Sequence, residues 1–179
     1  VRQVTSAMQR VSSARLVHDR RAMENSRLFT RRLADLLLEV RHAAADVDDC
    51  LLQPGNPAGR DCLVVLGADR GLCGGFNAAL IEAAAAFVRD RAPGRTRLIA
   101  VGKVVNRRGR RQGLPVELFF EQPRRTERSG LIDRLAQTVR EGFLNRAYRE
   151  VHLLYSRFAS ALRQEPWTER ILPIPAEAG

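Results

Sequence analysis

Nothing between Val1 and Cys50 breaks a helix: the first fifty residues contain neither proline nor glycine. Apolar or small side chains recur there at spacings of three and four, as Val1, Val4, Met8 and Val11, then Ala22, Phe29, Leu33, Leu36, Val40, Ala43 and Val47. Alternating three and four aligns one stripe along a helix, the seam of a coiled coil. The slots between Val11 and Phe29 hold Arg15, His18 and Ser26, which predicts a polar, irregular middle. At ~1.5 Å per residue such a helix reaches roughly 70 Å, longer than a domain of this size is wide. A single helix cannot hide its own stripe. No second helix of matching length is evident in the sequence, so the partner is expected in another chain or in a part of this one that has been lost. The competing reading is two ordinary helices that part near His18 and pack on the domain.

The segment Gln53–Gly59 places two prolines and two glycines in seven residues and ends this pattern. Beyond it, strand and helix signals alternate. Residues 62–68 read as a buried strand, 76–91 as a helix, 97–101 and 116–120 as strands. Residues 129–145 carry helical spacing through Leu131, Leu135, Val139 and Phe143, with Ser129 placed to cap it, and 150–156 read as a fourth strand. Strands alternating with helices predict an α/β fold with a mostly parallel, Rossmann-like sheet and flanking helices. The expected division is therefore a long N-terminal helix in 1–52 and an α/β domain in 60–179. The tail from Arg170 is punctuated by proline and carries no further capped element.

Charge is uneven. Net charge is +10 and 29 of the 30 basic residues are arginine. Residues 89–128 hold twelve Lys/Arg against four acids, and residues 1–32 hold eight Arg against two. A basic footprint of this size fits a nucleic-acid binder. Against it, aromatics are 6% of the chain and do not interleave with the arginines, so no stacking platform forms. Cys50, Cys62 and Cys73 form no CxxC pair and predict reduced thiols of a cytosolic compartment. With His18, His42 and His152 far apart in sequence, neither a metal site nor a nucleophile–base pair is expected. No apolar run is long enough to span a membrane.

The glycine-rich turn of "VVLGADRGLCGGFNAAL" (64–80) has the outline of a phosphate loop. Its spacing is wrong. Gly71, Gly74 and Gly75 make GxxGG rather than GxGxxG, and the second strand runs into Gly102 and Lys103 rather than a ribose-binding acid. Gly75 is followed by Phe76 and Asn77, not by Lys and Ser or Thr. Asp69 would repel a phosphate. The expected role is structural: the glycines turn the chain, Asp69 and Arg70 pair or cap backbone groups, and Asn77 bonds locally.

The stretch "DRGLCGGFN" (69–77), behind an apolar strand, resembles the signature of the gamma subunit of F-type ATP synthases. Three further pieces agree in order. These are "VTSAMQRVSSARL" (4–16) with T-x-A-M-x-x-V, "VGK" (101–103) after the second strand, and "LLYSRFASALRQEPWTERILPI" (153–174). Ser6 stands where the family commonly has a basic residue, and Ser156 where it usually has Asn. In the family the chain continues into a long C-terminal helix that pairs antiparallel with the N-terminal one, which would supply the missing partner of the seam.

The resemblance implies a non-catalytic rotor, the central stalk of a proton-translocating synthase. Torque would pass along the helical shaft between a membrane c-ring and the catalytic ring of alpha and beta subunits, with epsilon docked on the α/β domain. It implies no cofactor, no metal and no direct nucleic acid. It places the protein peripherally, on the cytoplasmic face of a bacterial inner membrane. It makes Met8, with Arg2, Arg10 and Arg15, the contacts to the catalytic ring, and Asp69, Arg70, Gly71, Leu72, Cys73, Gly74 and Asn77 a structural signature loop. The basic stretch 106–111 would join the contact at the foot of the shaft.

Overall fold

The computed structural model describes residues 2–43, 49–71, 73–122, 128–158 and 164–175, and within the N-terminal helix the side chains of Ser13, 17–37 and Glu39. Two compact units result, one holding that helix and one running Asp48–Pro175.

Helix α1 (Arg2–Ala43) is unbroken over 42 residues. It does not part near His18, and the polar middle is not irregular. With no glycine or proline, its backbone bonds do not depend on apolar neighbours, and Arg, Met, Glu and Leu are good helix formers. Arg20 pairs with Glu24 one turn on at 3.0 Å, and the Thr30 hydroxyl donates to the Ser26 carbonyl at 2.9 Å. Val17, Leu28, Phe29, Leu33, Leu36 and Leu37 lie between 41% and 70% exposed. The seam positions Val1, Val4, Met8, Val11, Val40, Ala43 and Val47 fall outside the described side chains.

The second unit runs β1 (Arg60–Leu66), α2 (Phe76–Arg89), β2 (Thr96–Val101), α3 (Lys103–Arg111), β3 (Val116–Phe120), α4 (Arg128–Leu144), β4 (Tyr148–Phe158) and β5 (Gln164–Leu172). The sheet order is β3-β2-β1-β4-β5. The first four strands are parallel, and β5 is antiparallel to β4. Central β1 is buried on both faces, the reason its sequence reads as one continuous apolar run. On one face Leu63, Val65, Leu98 and Ala100 meet Leu80, Ile81, Ala84 and Phe87 of α2 and Val105 of α3. On the other, Val64, Ile99, Val101 and Val151 meet Val139 and Phe143 of α4.

Several expectations need correction. Residues 164–172, for which no element was expected, form β5, which takes in the first three residues of the tail from Arg170. Pro166 sits there without harm because β5 is the sheet edge, where a missing N–H costs no ladder bond. The basic stretch after Gly102 is a helix. Its apolar content is two valines, yet Val104, Val105 and the small Gly109 suffice to bury one side. Ser129 lies inside the first turn of α4, whose first residue is Arg128, and so does not precede it as a cap. Strand β1 starts two residues early, leaving Gly67 and Ala68 in the turn, and β4 overruns its expected limits at both ends. Helix α2 stops at Arg89, with Asp90 as its C-cap. Among the described residues no helix is long and apolar enough to cross a membrane.

Candidate functional site

The signature loop sits at the carboxyl edge of the parallel strands, where α/β folds usually hold ligands. Here the chain itself fills the place. Helix α3 begins behind Gly102, and its first backbone N–H, on Lys103, donates to Oδ1 of Asp69 at 2.8 Å. The Gln122 N–H reaches the same oxygen at 3.4 Å, and the Gln122 side-chain amide donates to the Gly67 carbonyl at 2.5 Å. A carboxylate at a helix N-terminus satisfies orphan donors and faces the positive end of the dipole. Asp69 thus takes the place of an anion at the N-terminus of α3.

Asn77, 3% exposed, ties the loop to the strand. Its Oδ1 accepts from the Ala68 N–H at 3.0 Å, and its Nδ2 donates to Cys73 Sγ at 3.0 Å. Cys73 in turn donates to the Arg70 carbonyl at 3.7 Å. Gly74 has φ of +58°, a turn that a side chain would resist. The structure therefore brings together Asp69, Arg70, Cys73, Gly74 and Asn77, with Gly71 exposed beside them; Leu72 lies outside the described residues. Asp69 does not pair with Arg70 among the described residues, since backbone donors from two other segments claim its carboxylate. The side chains of Arg2, Met8, Arg10 and Arg15 lie outside the described residues, so no geometry is given to them.

The bonds that close the loop escaped sequence reading. The Lys103 and Gln122 N–H groups reach Asp69 from segments 34 and 53 positions away, and no local pattern connects them. A further omission had a signal. Asp61 is an acid inside an apolar strand, which demands a cation nearby. It is 2% exposed and accepts from Arg91 Nε at 2.8 Å and from Arg149 Nε and Nη2 at 2.8 and 2.7 Å. Burial pushes its carboxyl up, but the hydrogen bonds from Arg149 and Arg91 outweigh that and hold it below the usual carboxylate range. The Arg91 guanidinium also stacks 3.3 Å from the Phe87 ring centre, and Phe87 meets His152 edge-on. This cluster lies at the amino end of β1, opposite the signature loop, and has the character of a clamp between segments.

A cavity of about 780 Å³ opens between α4 and the sheet, lined by Leu66, Val101, Leu131, Leu135, Leu153 and Ile171 among others. Gln122 and Arg140 are the polar groups on its wall. The rest of that lining is apolar. Among the described residues no three His, Cys, Asp or Glu side chains gather as a metal site.

All three cysteines are free. Burial pushes the Cys62 thiol up to about 12, the largest influence on it, despite a hydrogen bond with Tyr148. In native protein a thiol reagent is expected to modify exposed Cys50 and Cys73 and to spare Cys62. Counting thiols before and after denaturation checks this; rapid native modification of Cys62 would contradict it.

Comparison with known proteins gives the arrangement its context. The family model for ATP synthase matches residues 1–179. The ATP synthase gamma chain of Geotalea uraniireducens is 33% identical over 185 residues, covering 98% of this chain and 61% of the relative. That of Heliobacterium modesticaldum is 32% identical, covering 99% and 60%. The chain thus spans about three fifths of the length of these relatives. Among solved structures, the central stalk and c-ring of the Tetrahymena thermophila mitochondrial ATP synthase matches with a TM-score of 0.69 and 20% identity, over 95% of this chain and 72% of that one. The last likeness is one of fold; the match across every residue settles kinship, and this chain belongs to the family of ATP synthase gamma chains.

Proposed function

We propose that this chain is the rotor of a proton-translocating F-type ATP synthase, carrying torque between a membrane c-ring and a catalytic ring of alpha and beta subunits. The observation that carries the reading is the family match over the whole chain. The fold agrees with it. A 42-residue helix with exposed leucines suits a shaft that pairs with another helix, and a loop closed by its own aspartate suits a scaffold rather than a nucleotide site. In this reading residues 1–52 are shaft and 60–179 the domain at its foot. Arg2, Met8, Arg10 and Arg15 face the catalytic ring, where their summed field outweighs any single exposed pair. Epsilon and the c-ring are the partners at the foot, and the complex lies on the cytoplasmic face of a bacterial inner membrane. The chain performs no chemistry of its own.

The test is an affinity tag on the native chromosomal copy. Alpha and beta subunits are expected in the purified complex, with ATP hydrolysis that falls when Met8, Arg2, Arg10 and Arg15 are replaced together. A tagged protein recovered without alpha and beta subunits would overturn the proposal.

A further inference from the structure

We draw no further inference here: the strongest candidate, the apolar cavity between α4 and the sheet, carries nothing because nothing in the structure shows what covers it.

Discussion

Asp61→Asn is expected to cost about 3 kcal/mol of stability, because the part-buried Arg91 and the more exposed Arg149 both lose the buried carboxylate that joins them. Arg91 is 22% exposed and holds the end of α2 to β1; Arg149, 43% exposed, holds β4. The asparagine would also turn an amide donor toward groups that only donate. At roughly 2–4 °C per kcal/mol for a chain of this length, the midpoint should fall by about 8 °C near neutral pH. The pH dependence separates this from a packing defect. The folded carboxyl of Asp61 is held down, so its contribution is complete above the unfolded value near ~3.9 and is lost as pH falls through the folded one. The gap between wild type and variant should therefore narrow in acid. His152 acts in the same direction from a higher starting point. Burial, the dominant influence, keeps its ring below the ordinary value, so both proteins should begin to weaken as pH drops below ~6.5. Calorimetry across this range checks both; a gap that stays constant to low pH would contradict the clamp.

Gly102→Ala is expected to be comparably severe, about 3 kcal/mol, for a different reason. Gly102 has φ of +107°, and a β-carbon there would lie 2.9 Å from the Gly67 carbonyl carbon and 3.0 Å from the Ala68 nitrogen. Both obstacles are backbone, so no side chain can swing aside. The crossing is also fixed by hydrogen bonds, from the Gly102 N–H to the Phe120 carbonyl at 2.9 Å and from the Gly67 N–H to the Val101 carbonyl at 2.8 Å. Displacing it pulls the Lys103 N–H from Asp69. Gly113→Ala is the control. Its φ is +75° but nothing lies within 4 Å, so only the backbone penalty of about 1 kcal/mol remains. Equal thermal shifts in the two variants would show that the crossing is not the source of the cost.

The features legible in the sequence are those set by short-range forces. Strand β1 and helix α2 were legible because burial writes itself as local runs and spacings. Ser129 was misplaced because cap geometry depends on where the helix starts, which neighbouring residues do not fix. Strand β5 was hidden by Pro166, a breaker in isolation that an edge position tolerates. The continuity of α1 was underestimated because Arg15, His18 and Ser26 interrupt a pattern of packing, not the backbone ladder. At the signature loop the residues were found but not their bonds. Asp69 reaches Lys103 and Gln122 across 34 and 53 positions, and only the parallel pairing of β1, β2 and β3 makes them neighbours. Asp61 was the missed inference: an acid in an apolar run announces a distant cation even when its identity is hidden.

The ion pair of Lys103 with Glu121 has a practical side. Lys103 is the one lysine in the sequence, and its side chain is 54% exposed. Within these 179 residues amine-directed acylation would reach one side chain, at the first residue of α3 and beside the carboxyl edge of the sheet. A fluorophore or bead linker placed there would need no engineered residue, and its orientation would follow that of the domain.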